Sequence, residues 1–367
     1  MSAFSTAFDR EVAHIARDRW DRALLLVMPL VLLGLMAAML LAGSPRELPV
    51  AVVAPDEPAA RAMVRAIDET DAVRVVARPA SEAEALALVR EGRIVAFLEW
   101  PARAGSPPRI SYNASYLSAG GIAERGIASA VSQVALERAL EGGGVEGLGA
   151  LRANPPRVSV ALLGNPGASF EWYLQALVDP AILHLLVACA TAMAMGRELK
   201  NGRLGEWARG SGHPAATLTG KLLPYVLIVS AWGAAWMIWI SGVRGWAPAG
   251  SLMLVFAGQV LLYAATAAIS ALLVAATRET STALAASAVY AGSALAYSGG
   301  SLPVGGASLL ARGWSAALPF THYLDLQMDQ WLGAPASLAM GQLGLLGLYV
   351  LVPGALAVVL LKRKRAA

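Results

Sequence analysis

The stretch Ala215–Tyr225, AATLTGKLLPY, places a Gly-Lys pair at Gly220 and Lys221, directly ahead of an uncharged apolar run. Two readings compete. A phosphate-binding loop needs a glycine five positions before Gly220 and a Ser or Thr after the lysine, because backbone N–H groups cradle phosphate and the hydroxyl holds magnesium. Those positions hold Ala215 and Leu222. The run from Leu222 to Val243, LLPYVLIVSAWGAAWMIWISGV, carries no charge. The pair therefore reads as the cytoplasmic end of a membrane span, and no Walker A sequence occurs elsewhere in the chain.

Working outward, the composition agrees. The 367 residues carry 15% charge, against about 25% in soluble domains, and the mean hydropathy is +0.56. The net charge of +4 sits at span ends, including the terminal Lys362–Arg365, so it reads as a topology signal and not as a nucleic-acid surface. The single cysteine, Cys189, lies in an apolar run and cannot form an intrachain disulfide.

Spanning a bilayer core takes roughly 20 apolar residues. Six runs qualify: Ala23–Ala42, Pro180–Gly196 fenced by Asp179 and Arg197, Leu222–Val243, Gly245–Thr277 with an entry loop, Thr280–Ser298, and Leu338–Leu361. Arg10, Arg17, Arg19, Arg22, Arg197, Lys200, Arg203, Arg209, Lys221, Arg278 and the basic tail fall on one side, so the positive-inside rule puts both termini in the cytoplasm. The first run is too long for a signal-peptide core and reads as an uncleaved anchor. Ahead of it, Phe4, Phe8, Val12 and Ile15 recur at helical spacing, which predicts an amphipathic helix on the inner membrane surface over residues 1–22.

Residues 43–170 differ. Strand-like runs (PVAVVAP, AVRVVA, RIVAFLEW, RISYNAS) alternate with helical ones (EPAARAMVRAIDET, SEAEALALVREG with Ser81 and Glu84 as a capping box, and roughly 118–140). The segment contains no histidine and no catalytic constellation. The expected fold is thus a membrane all-α protein of six transmembrane helices with an inserted extracytoplasmic α/β domain. No catalytic, cofactor-binding or metal-binding residues are assigned. His184, inside the second run, reads as a neutral side chain bonded to a neighbouring helix. His322, Asp325 and Asp329 share a helical face that reads as polar surface before it reads as a metal site. Tyr225, Trp232, Trp236 and Trp239 form a stripe that fits either a lipid-facing belt or an inward wall.

Several segments together resemble ABC-2-type transporter permeases. Ile15–Leu33, with Arg17, Asp18, Arg19 and Pro29, is similar to the basic lead-in to that family's first span. Arg197, Glu198, Gly202, Gly220, Lys221, Pro224 and Tyr225 stand in the places of its cytoplasmic signature. Arg203 stands where threonine is usual, and Ser211 where proline is common. Ser298, Gly299, Pro303, Trp314, Pro319 and Thr321 match the segment after its fifth span.

The resemblance implies residues 171–367 as transmembrane helices two to six, with a cytoplasmic coupling loop at 197–221 and an external re-entrant segment at 298–331 forming a gate. It implies a coupling helix near Lys200–Ser211 that docks on a separate ATPase. There Leu204 and Trp207 share a face as apolar anchors, and Glu198, Glu206 and Arg209 pair with the partner. Gly220, Lys221 and Pro224 mark the span entry, with Lys221 snorkelling to the headgroups. The implied partners are an ABC ATPase subunit, a second copy or homologous permease, and the lipid bilayer; a periplasmic adaptor is a further candidate. Under this reading the chain has no enzymatic activity or cofactor of its own. It exports a hydrophobic or amphiphilic substrate across a bacterial inner membrane, and the excess of arginine over lysine points to a GC-rich bacterium. The alternatives are a membrane sensor or assembly protein with a ligand-binding external domain, and an ion-coupled secondary transporter. The last needs charged residues deep in the spans, where only His184 qualifies on sequence.

Overall fold

The computed structural model describes residues 2–40, 47–54, 58–100, 108–112, 119–134, 169–200, 212–300 and 307–362. The chain divides into two compact units, Met1–Leu41 with Leu162–Ala367, and Ala42–Ala161.

The smaller unit is built on a four-stranded sheet. Its elements are β1 (Leu48–Val53), β2 (Val73–Ala77), β3 (Ala96–Glu99) and β4 (Arg109–Tyr112), in the order β2-β1-β3-β4. β1 pairs in parallel with β2 and β3, and β4 is antiparallel to β3. Parallel neighbours require crossovers, which are supplied by the helices Pro58–Asp68 and Glu82–Arg90. Alternation along β1 sends Val50 and Val52 into a core with Met63, Ile67 and Leu98, which Ile127 from the helix at 119–134 completes. Ala51 faces the opposite side with Ala85 and Phe97. The Ser81 hydroxyl accepts from the Glu84 N–H at 3.3 Å, and the Glu84 carboxylate accepts from the Ala80 N–H at 2.8 Å, closing a reciprocal cap.

In the larger unit, α1 (Ala3–Arg17) leads into α2 (Arg19–Leu40) through an elbow at Asp18. That residue ends one helix and starts the next: its carboxylate accepts from the Trp20 and Asp21 N–H groups. Those backbone bonds hold the Asp18 carboxyl below its ordinary range. Counting α3–α5 as the three helices of the smaller unit, the chain continues with α6 (Phe170–Lys200), α7 (Pro214–Val243), α8 (Leu252–Thr277), α9 (Thr280–Tyr297), α10 (Leu309–Ala317), α11 (Pro319–Trp331) and α12 (Ala336–Lys362).

Among the described residues, five helices are long and apolar enough to cross a membrane: α2, α6, α7, α8 and α12. The fifth expected span, α9, forms a helix of 18 residues. Thr280, Ser281, Thr282, Ser287 and Ser293 make it more polar than the other five. The second span also differs from expectation, since the apolar segment of α6 runs over Glu171–Leu199. Asp179, which on sequence reads as its fence, lies about two turns inside the helix and is 1% exposed. Hydropathy alone ends a span at a carboxylate, whereas Arg244 and Trp239 here give the buried Glu171 and Gln175 partners, and Asp179 is buried with no ion-pair partner among the described residues.

Helix α1 lies across α7, and Gly220 marks the crossing. A Cβ at Gly220 would meet the Phe4 carbonyl oxygen at 2.4 Å, a backbone atom that cannot swing aside. Pro224 sits one turn further along, so the Gly220 carbonyl receives no helical N–H from position 224. Gly220→Ala is expected to lever α1 off α7 and to destabilise the protein by about 1–3 kcal/mol. Hydrogen exchange over residues 3–17 should accelerate. Gly292→Ala, at an α9 position with no atom within 4 Å of the added carbon, should leave both readouts unchanged; equal effects of the two substitutions would contradict the crossing.

Candidate functional site: a buried ion cluster

The ends of α6 and α7 that flank residues 201–211 are joined by charge. Lys221, one residue past the crossing, is 1% exposed. Its ammonium donates to Glu11 Oε2 at 2.6 Å and to Glu198 Oε1 at 3.0 Å. Arg197 donates to Asp21 Oδ2 at 3.0 Å, to the Tyr225 hydroxyl at 2.8 Å and to Glu11 Oε1. The Tyr225 hydroxyl donates in turn to Glu11 Oε1 at 2.7 Å and lies 3.1 Å from Asp21 Oδ2. Arg10 closes the set on Glu198. Three cations, Arg10, Arg197 and Lys221, thus meet three carboxylates, Glu11, Asp21 and Glu198.

Such balance is a physical requirement. An isolated ion costs several kcal/mol to bury, and mutual attraction offsets that only where hydrogen bonds satisfy the remaining valences. Glu11 shows the outcome: burial pushes its carboxyl up, but the Lys221 charge and hydrogen bond, with Arg197 and Tyr225, outweigh it and hold it below its ordinary 4.5.

Lys221 therefore does not snorkel. Headgroup solvation is the expectation for a lysine at a span mouth, but carboxylates from α1 and α6 reach it first. Glu198, expected to face the ATPase, directs its carboxylate inward to Lys221 and Arg10. On α1, the buried face is Ala7, Glu11 and Ile15, while Val12 is 43% exposed. Gly202, Leu204, Glu206, Trp207 and Arg209 lie outside the described residues, as does Pro303.

The residues expected to form the gate fall in and around the short helices α10 and α11. Gly299 adopts φ +86°, a left-handed conformation that suits glycine. Ser298 is buried, and the Trp314 indole donates to the Ser293 hydroxyl at 3.0 Å. Pro319 occupies the first turn of α11, and the Thr321 hydroxyl donates back to the Ser315 carbonyl at 2.8 Å, fixing the turn from α10 into α11. His322 is engaged by the Ala316 carbonyl and the Tyr349 ring, while Asp325 is exposed.

Within the bundle, His184 Nδ1 sits 2.7 Å from the Thr266 hydroxyl on α8. The aromatic stripe on α7 turns inward: the Trp232 indole donates to the Leu25 carbonyl at 2.9 Å and the Trp239 indole to Gln175 at 3.1 Å. At the end of α7 away from Lys221, Arg244 holds Glu171 with two bonds of 2.6 and 2.7 Å. Sequence reasoning misses Glu11, Asp21 and Tyr225 as ionic partners. The one available signal is a glutamate on the Ala7–Ile15 face of an otherwise amphipathic helix.

A multi-pass helical bundle interrupted after its first span by a small α/β unit, with the ends of two of its long helices locked together by charge, defines a membrane transport subunit. The chain belongs to the ABC-2 family of transporter proteins, which it matches over residues 19–359. It is a transmembrane permease subunit of an ABC transporter, and an ABC ATPase is the kind of partner this family works with. Comparison with curated proteins and with solved structures returns no significant match.

Lys221→Met is expected to destabilise the bundle by about 3–5 kcal/mol, because it strands buried carboxylates. Glu11→Gln combined with Lys221→Met leaves two cations facing two carboxylates, so the double substitution should cost less than the sum of the singles in thermal unfolding. Additive costs would argue against direct pairing. The Glu11 contribution should be complete above pH 4.5 and fade as pH falls through its depressed folded value, because the unfolded chain takes up the proton first. Glu11→Gln should flatten that acid limb.

Proposed function

We propose that the chain is the membrane half of an ATP-driven exporter, worked from the cytoplasm by a separate ATPase that grips the loop at 197–221. In this reading the chain itself hydrolyses nothing, and it moves a hydrophobic or amphiphilic substrate outward. It crosses a bacterial inner membrane six times, with α9 joining α2, α6, α7, α8 and α12 as a span, both termini inside and the α/β unit outside. It pairs with a second copy or a homologous permease, and the external unit is the natural contact for an adaptor protein.

The observation that carries this reading is the ion cluster. A push on the loop reaches the substrate path only if the helices flanking it move together. Arg197 and Glu198 end α6, Lys221 and Tyr225 begin α7, and Glu11 of α1 bonds both sides. Sliding one helix past the other would leave buried charge unpaired, at a cost of about 3–5 kcal/mol. The three helices are thereby favoured to move as one lever. Leu204 and Trp207, three residues apart, are assigned as the apolar anchors on the ATPase, with Glu206 and Arg209 beside them, since a buried tryptophan makes an effective anchor.

Two measurements test this. In a mild-detergent pull-down, the wild-type chain should retain an ATPase, and Trp207→Asp should lose it. Retention of the partner with undiminished ATPase coupling would refute the docking assignment. For topology, Cys189 is the sole cysteine. In a Cys189→Ala background, an impermeant maleimide on intact cells should label Asp71→Cys and spare His213→Cys; the opposite pattern would invert the orientation and end the proposal.

A further inference from the structure

Deep in the bundle, α6, α7 and α8 bring together polar side chains that nothing in the coupling mechanism uses. Asp179 lies against Trp236, and Tyr263 lies near Asp179 and against Gln259. Gln259 is pressed on Gly233, where a Cβ would meet its Oε1 at 2.3 Å. Ser230 is one turn before Gly233 on α7. All are at most 5% exposed. Asp179 Oδ1, both amide atoms of Gln259, the Tyr263 and Ser230 hydroxyls and the Trp236 indole N–H make no well-aligned hydrogen bond among the described residues, although the Trp236 indole faces Asp179 and Gln259 faces Tyr263. Buried polar atoms are rarely left so; a group of them marks a bound water, ion or ligand.

Charge identifies the occupant. Neighbouring acids have partners: Glu171 is held by Arg244, and Glu198 by Lys221 and Arg10. Asp179 has no ion-pair partner among the described residues. The helices packed on α6 offer it no cation. On α7, Lys221 and Arg244 are bound at opposite ends. α2 keeps its charges in its first turn, and α8 and α9 carry no charged side chain within their helices. α11 contributes Tyr323 beside Tyr263, with His322 turned to Ala316 and Tyr349, and Asp325 and Asp329 adding only negative charge. The remaining titratable groups near α6 are His184, bonded to Thr266, and Tyr290. A lone carboxylate in this setting calls for one positive charge.

We propose that Asp179 forms a binding site for a small monovalent cation within the bundle, with Gln259 Oε1 and the Tyr263 and Ser230 hydroxyls as the neutral oxygen ligands. Hard alkali-metal cations take carboxylate, carbonyl and hydroxyl oxygens of this kind, and a proton satisfies the same charge requirement. The tryptophans Trp172, Trp331 and Trp236, with successive ring centroids 6.3 and 6.4 Å apart, form an aromatic wall in the same bundle. An occupied site would tie three helices together, two of which end in the ion cluster. The inference does not depend on the ATPase partner.

The test uses the full-length protein in lipid nanodiscs, buffered with N-methylglucamine. Thermal unfolding and tryptophan emission are followed while NaCl, KCl or LiCl replaces N-methylglucamine chloride at constant ionic strength, and separately from pH 8 to 5. A saturable rise in midpoint of about 5 °C at a hundredfold excess over Kd with one alkali ion, abolished in Asp179→Asn, identifies a metal cation. A pH response without an alkali response, likewise abolished in Asp179→Asn, identifies a proton. Gln259→Leu keeps the carboxylate and removes a ligand. It should raise the half-saturating concentration about tenfold, the effect of one ordinary contact, or move the pH midpoint; it also serves if Asp179→Asn does not fold. No response in the wild type, a response that Asp179→Asn retains, or a half-saturation or pH midpoint unmoved by Gln259→Leu overturns the proposal.

Discussion

The burial of the Lys221 ammonium constrains everything around it. A cation that is 1% exposed has to be matched where it sits, and the matching groups come from three different segments of the chain. Glu11 fixes where α1 lies, Glu198 fixes where α6 ends, and Asp21 with Tyr225 places Arg197 in the same cluster. Gly220 supplies the geometric half of the constraint, because α1 approaches closely enough to reach Lys221 only where α7 lacks a side chain. The Gly-Lys pair is thus one device with two parts, a gap and a charge.

Buried ion clusters contribute little net stability compared with apolar packing, since desolvation offsets most of the attraction. What they supply is intolerance of partial disruption. That property suits the proposed role of the cluster as a joint that transmits displacement without slipping. The Asp18 elbow belongs to the same joint, because it sets the angle at which α1 turns back towards α7, and its capping bonds are local to the chain. The Arg244 clamp on Glu171 ties α6 to α7 again at their other ends. The two helices are therefore pinned by charge at both ends, with the polar groups around Asp179 between the pins.

Much of the fold is legible in the sequence. Alternation and turn residues mark the strands and helices of the α/β unit, because each rests on local periodicity and a crossover of short length. The apolar runs mark the long helices, because length and hydropathy are sums over neighbouring residues. Two features mislead for one reason. Asp179 reads as a boundary and Lys221 as a headgroup contact, since an isolated charge in an apolar run is expensive until its neighbours are known. α9 illustrates the converse: its hydroxyls weaken the hydropathy signal, yet it forms a continuous helix packed against α6 and α8.

The linear order of residues was enough to establish a polytopic transporter subunit with an inserted α/β unit, because hydropathy, periodicity and family motifs are local properties of the chain. It did not reveal that three cations and three carboxylates form one cluster. Which cation meets which carboxylate was decided only by tertiary structure. Glu11 and Lys221 are 210 positions apart, and Coulomb energy depends on distance in space and on the dielectric there, neither of which the order of residues records.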